Sequence, residues 1–341
     1  MLTSDPESLV RNLTGELPIN TERIRAGRNS RVFRVDCKSG QSMLAKFYLH
    51  PTADGRSRLE QEWTALQFMT ESGLSNVPAP LAFDESVQGA VFSFIKGDRI
   101  ENGTDQDLRE IISFLSRLHE LSGRKKALAL PRAAEACFSP AELIKNITQR
   151  LKKLQALPTE GKSYRHLHTF LKDQFSPQFE TCINDVKTHF AGRLWTEPLA
   201  MEFRTLSPSD FGFHNAIKNG QKITFVDFEY FGWDDPVKAT ADFLLHPAMN
   251  LSGQQMAIFF ADMKKFFMHD ENFILRFKKH LPLFRLKWAV ILLNEFLSQH
   301  LEQREFSCGK ITNPKDRLTQ QLEKAENILN KDQKILHALD L

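Results

Sequence analysis

The feature that most limits the fold is a change of hydrophobic period near residue 95. Before it, apolar residues come in short alternating runs, as they do along half-buried strands. Ile19 to Ala26, Val32 to Val35, Ser42 to Tyr48, Pro80 to Phe83 and Ala90 to Phe94 each predict a strand, and Lys38-Ser39-Gly40 predicts a turn. One amphipathic helix interrupts them, from Arg58 to Met69, with Leu59, Trp63, Leu66 and Phe68 at helical spacing. After Phe94 to Gly97, which reads as a connector, the period is helical. Gln106–Leu121, Pro140–Leu157, Tyr164–Phe190, residues 256–303 and residues 314–339 all predict helices. A single β-prone island, Ile223 to Asp227, lies among them. A chain patterned this way predicts an α+β fold: a small antiparallel β-sheet lobe with one helix, then a larger, mostly helical lobe. The expected boundary gives lobes of residues 1–95 and 96–341.

Composition narrows the function. The 341 residues suit two lobes better than one compact core. With 41% apolar and 26% charged residues the chain reads as globular, and 28 phenylalanines are available to fill its interior. A net charge of +3, with acids and bases interleaved, gives no basic stripe, so no nucleic-acid partner is expected. Cys37, Cys137, Cys182 and Cys308 form no CxxC pair and read as reduced thiols. The N-terminal residues lack a signal pattern, and Trp288 to Leu293 is too short to span a bilayer. A cytoplasmic protein without a membrane partner is the expectation.

The chemistry concentrates in Leu206–Asn215 and Ile223–Glu229. Asp210 is followed five positions later by Asn215, and Asp227 ends a short apolar run. Phosphoryl transfer needs one carboxylate to orient the attacking hydroxyl and accept its proton, and oxygen ligands to hold Mg²⁺ on the nucleotide phosphates. Asp210 can do the first, Asn215 and Asp227 the second.

The run D-x-x-x-x-N, an apolar strand and D-F-E resembles the catalytic and metal motifs of the aminoglycoside phosphotransferase and choline kinase family, which has the two-lobed protein-kinase-like fold. The resemblance extends over nearly the whole chain. It implies that Gly27, Asn29 and Ser30 form the nucleotide loop and that Lys46 contacts the nucleotide phosphates. It implies also that Glu62 pairs with Lys46, and that Phe92 to Ile95 is the interlobe hinge, with adenine on Phe94 and Ile95. The activity implied is transfer of the ATP γ-phosphoryl group to a hydroxyl of an amino alcohol, a sugar or an aminoglycoside-like molecule. His119 reads as a support of the catalytic loop, His214 as a packing or hydrogen-bonding residue of that loop with a base as the alternative, Glu229 as a contact to metal, substrate or a nearby cation, and Asp242 as a helix-start or acceptor-lobe residue. The sequence departs from the family in three places. Pro208 stands where the family commonly has a His two residues before the base, the nucleotide loop has one glycine, and the spacing from Asp235 to Asp242 is longer than the family's. The first two suit a second reading, a nucleotide-binding pseudokinase acting as a regulatory or scaffold module.

Overall fold

The computed structural model describes residues 5–24, 29–49, 55–298 and 314–341. Five strands form one antiparallel sheet: β1 (Pro18–Ile24), β2 (Ser30–Cys37), β3 (Ser42–Tyr48), β4 (Pro80–Asp84) and β5 (Gly89–Ser93), in the order β1-β2-β3-β5-β4. β3 lies in the middle, with Lys46 opposite Val32 on one side and Ala90 on the other. Successive side chains of a strand point to opposite faces, and this alternation sorts β3. Met43, Ala45 and Phe47 join Leu9 and Val10 of α1 (Pro6–Thr14) in a small separate core. Leu44, Lys46 and Tyr48 point the other way, toward α2 (Arg58–Glu71). The period of the strand thus aims Lys46 at the helix that carries Glu62.

Helix α1 was not foreseen. Its nine residues hold only two that are buried, so the apolar stripe is too short to read. Its ends are nonetheless well specified. The Asp5 side chain accepts from the Ser8 amide, and Gly15 closes it in the left-handed conformation, φ +76°.

The rest of the chain is mostly helical: α3 (Asp105–Ser122), α4 (Pro140–Gln155), α5 (Lys162–Phe170), α6 (Ser176–His189), the short α7 (Arg193–Thr196), α8 (Pro236–Leu245), α9 (Gly253–Phe266), α10 (Phe273–Leu292) and two last helices, Pro314–Ile328 and Lys331–Ala338. The expected Tyr164–Phe190 helix is one rod with a π-helical turn at Leu171–Phe175. Pro177 has no amide to offer the preceding turn, and the Ser176 hydroxyl bonds Leu171 O instead. The expected helix over 256–303 is two helices, split by the turn Phe267–Asn272, and the second passes at Leu293–Phe296 into a 3₁₀ turn. Asp270 accepts from the Asn272 amide there and binds Arg276, which stabilises a fresh helix start. Residues 299–303 of that expected helix lie outside the described residues.

Two small β units sit among these helices. β6 (Asp98–Arg99), β8 (Ala216–Asn219) and β9 (Lys222–Phe225) make one, and β7 (Thr205–Ser207) pairs with β10 (Gly232–Asp234) in the other. Their loops, 208–215 and 226–231, face the sheet lobe, and the Phe225 amide donates to Asn76 O across the junction. Among the described residues, Cys37 and Cys137 are buried and Cys182 half-buried, all free thiols, and no helix is long and apolar enough to cross a membrane. Cys308 lies outside the described residues.

Candidate active site

Lys46 is the hub. Its ammonium lies 2.6 Å from Glu62 Oε2, 2.8 Å from Asp227 Oδ1 and 3.6 Å from Glu229 Oε2. Glu62 is fixed by two further donors, the Tyr48 hydroxyl at 2.7 Å and the Phe228 amide at 3.2 Å. Burial alone would lower the Lys46 pKa, but the carboxylates of Asp227, Glu62 and Glu229 outweigh it and hold the ammonium charged far above its ordinary range. Glu229 is also buried. Burial first, then the neighbouring Asp227 carboxylate, push its carboxyl up to about 7, against the pull of Lys46 and Arg58.

Asp227 lies just past β9 with φ +70°, a strained backbone for a non-glycine residue, and its side chain keeps 31% exposure. The bend turns the carboxylate away from the apolar run and toward Lys46. Asn215 ties this segment to Asp210. Its carbonyl accepts from the Val226 amide at 2.9 Å, and its Nδ2 donates to Asp210 O at 3.0 Å, which leaves its Oδ1 outside these bonds. Asp210 sits at the rim with its side chain 40% exposed. Its Oδ1 meets His214 Nε2 at 3.0 Å and His246 Nε2 at 3.3 Å. Burial of the carboxylate acts to raise its pKa, and the hydrogen bonds from the two imidazoles reverse that and hold it well below the usual carboxylate range.

At the departure before the base, Pro208 O accepts from the Asp210 amide, and Ser209 takes φ +68°. The Ser209 hydroxyl donates to Ala134 O and accepts from the buried Lys238. His119 is near Thr205 Oγ1, at 3.5 Å, at the start of β7, the strand that leads into this loop.

Of the sequence-derived candidates, Lys46, Glu62 and Asp227 are in direct contact, and Asn215 joins Asp210 to them through backbone bonds. Asn29 lies across the cleft, its Nδ2 2.7 Å from both Glu229 Oε1 and the Tyr230 hydroxyl. Ser30 is buried at the start of β2. Phe94 and Ile95 are half-buried on the connector between β5 and β6, with the Arg34 guanidinium 5.0 Å from the Phe94 ring. Gly27 lies outside the described residues. Asp242 is in the last turns of α8, not at its start: Asp235 is the N-cap, and Asp242 binds Lys238 and the Trp288 indole. Sequence reasoning missed Tyr48, Arg58, Tyr230 and His246. Tyr48 shares the Lys46 face of β3 by the strand period, so that signal was present; tertiary packing brings the other three here.

The donor chemistry suits Mg²⁺. Asp227 offers a carboxylate with 31% side-chain exposure and Asn215 an amide oxygen outside the bonds above, while Glu229 Oε2, within 4.8 Å of oxygens of Asp227 and Glu62, is buried without a hydrogen-bond partner among the described residues. Hard oxygen ligands and an excess of negative charge are what that ion requires.

No curated protein sequence matches the chain. A spectinomycin phosphotransferase solved with ADP and spectinomycin superposes with a TM-score of 0.65 at 13% identity, covering 97% of both chains. A choline/ethanolamine kinase family protein from Mesorhizobium loti superposes with a TM-score of 0.59 at 15% identity, over 98% of this chain and 97% of that one. An ADP-bound aminoglycoside phosphotransferase gives 0.51 at 16% identity, over 94% and 96%. At such identities these likenesses establish the two-lobed kinase-like fold. The profile of the phosphotransferase enzyme family (APH) matches residues 20–256, well over half of the chain, and the protein therefore belongs to that family.

Proposed function

We propose that the protein is a Mg²⁺-dependent kinase that transfers the γ-phosphoryl group of ATP to a hydroxyl of a small molecule. The observation that carries this reading is the buried Lys46 ammonium, held by Glu62 and Asp227, with Asn215 bonding the Asp227 segment to the Asp210 loop. In this reading residues 1–95 form the nucleotide-binding lobe and 96–341 carry the catalytic loops and the acceptor site. The nucleotide lies between the lobes, with its base against Phe94 and Ile95 and its phosphates under Gly27, Asn29 and Ser30. Lys46 neutralises phosphate oxygens, and Glu62 keeps its ammonium in place. Asn215 and Asp227 are the residues that would hold Mg²⁺, which when bound offsets phosphate charge. Asp210 orients the acceptor hydroxyl and takes its proton as the oxygen attacks phosphorus, and ADP leaves. The exposure of Asp210 fits that task, because a reacting hydroxyl must reach it from solvent.

The test is ADP release from MgATP over amino alcohols, sugars and aminoglycosides. Turnover on one acceptor class that disappears in Asp210→Asn is the expected result. Nucleotide binding with no turnover on any acceptor would instead favour a pseudokinase module.

A further inference from the structure

Asp210 lacks the histidine that commonly stands two residues upstream, yet two imidazoles meet it. His214 comes from its own loop and His246 from the C-cap of α8. The two rings stack with centroids 4.0 Å apart and planes 3° apart, and the Trp288 ring abuts His246 edge-on at 4.9 Å. Trp288 is in turn fixed through its indole N–H to Asp242, 2.9 Å away. The backbone of His246 is equally constrained. Its amide donates to Asp242 O, and its carbonyl accepts from the Met249 amide and from Lys331 of the last helix.

One bond decides what His246 can do. The Ala248 amide donates to His246 Nδ1 at 3.1 Å. Nδ1 must then be unprotonated, so the ring proton of the neutral imidazole lies on Nε2, the atom 3.3 Å from Asp210 Oδ1. Burial pushes the His246 pKa down, which favours that neutral form.

The same bond argues against a metal among Asp210, His214 and His246, whose ligand atoms lie within 4.8 Å of one another. A metal on Nε2 would require the proton on Nδ1, where an amide already donates. Parallel rings also aim their lone pairs side by side, not at one point.

We infer that His246 is a positioning residue: through its fixed Nε2–H it holds the Asp210 carboxylate in orientation, doing from downstream what an upstream histidine would do. This rests on the reading of Asp210 as the proton acceptor. Two substitutions isolate the bond. His246→Phe keeps the ring stack and removes the donor, and His246→Gln places an amide N–H where Nε2–H was. Kinetics are read as phosphate release from MgATP with water as acceptor, on the full chain. His246→Phe lowers kcat by about 10- to 100-fold with KM for MgATP within about twofold, and His246→Gln recovers to within about fivefold of wild type. A His246→Phe kcat within twofold of wild type overturns the inference, as does His246→Gln as slow as His246→Phe. A second arm needs no turnover. In protein with ring-¹⁵N histidine, His246 carries its proton on Nε2, and that N–H resonance shifts in Asp210→Asn. A proton on Nδ1, or an Nε2–H signal indifferent to Asp210→Asn, overturns the inference whatever the kinetics. Wild-type protein that releases no phosphate from MgATP leaves the kinase reading to the acceptor panel above, and the spectrum then decides the positioning role by itself.

Discussion

Lys46 has more carboxylate around it than one ammonium can neutralise, and this shapes what its loss would do. Among the described residues, Lys46→Met leaves the buried Glu62 and Glu229 with Arg58, 3.8 Å from Glu229, as the cation in contact. Breaking a buried ion network from one side costs about 3–5 kcal/mol, so urea unfolding of Lys46→Met should show a loss of that size together with weakened nucleotide binding. Asp210→Asn is the contrasting case. Its half-exposed side chain contributes little to folding, so the urea midpoint should stay close to wild type while turnover collapses. His280 reports on pH. It is buried on α10 against the Phe190 ring, 5.0 Å away, its Nε2 has no hydrogen-bond partner among the described residues, and burial lowers its pKa from 6.5 to about 4. A depressed folded pKa means the unfolded chain binds the proton first as pH falls. The neutral ring's contribution is therefore intact above pH 6.5 and is lost down to about pH 4, up to about 3 kcal/mol in all. His280→Met should flatten stability over that window, read by unfolding at pH 7, 5.5 and 4.5. An unchanged slope would mean that other groups set the acid limb.

Between elements, the critical junction is the connector from β5 to β6. Gly97 has φ +139°, and a Cβ there would lie 2.4 Å from Lys218 O on β8. Backbone cannot yield as a side chain can, so Gly97→Ala should cost at least about 2 kcal/mol and raise KM for MgATP by loosening the hinge. Thermal melting and nucleotide titration would check it, and a neutral substitution would mean that β8 moves freely against the connector. At this scale the sequence was legible where elements are long or strictly periodic. The five strands of the sheet, α2, α3, α4 and the helical stretches over 164–190, 256–292 and 314–338 follow from pattern, whereas the four-residue α7 and the ten-residue α8 do not. The three-residue strands β7 and β10 are too short to show a period, α1 has too few apolar positions, and the break between α9 and α10 depends on an Asp270–Arg276 pair that only folding creates.

For the whole molecule, the site assembles residues separated by up to about two hundred positions, and legibility there follows geometry. Lys46 and Glu62 are readable as partners through the family resemblance, and the packing of a strand against the next helix realises the pair. Asp210, Asn215 and Asp227 are readable because two short loops carry them. Arg58, Tyr230 and His246 carry no local signal; Arg58 and Tyr230 reach the site by closure of one lobe on the other, and His246 by packing of α8 and α10 within the helical lobe. A cleft built this way should bind nucleotide as a unit, so MgATP should raise the melting temperature of the full chain, and ATP with a chelator should raise it much less. The most direct test of the account is a paired one on Asp210→Asn: calorimetric affinity for MgATP and turnover on the same sample. The account predicts wild-type affinity with kcat reduced at least about a hundredfold. Near-wild-type turnover in that variant would contradict it.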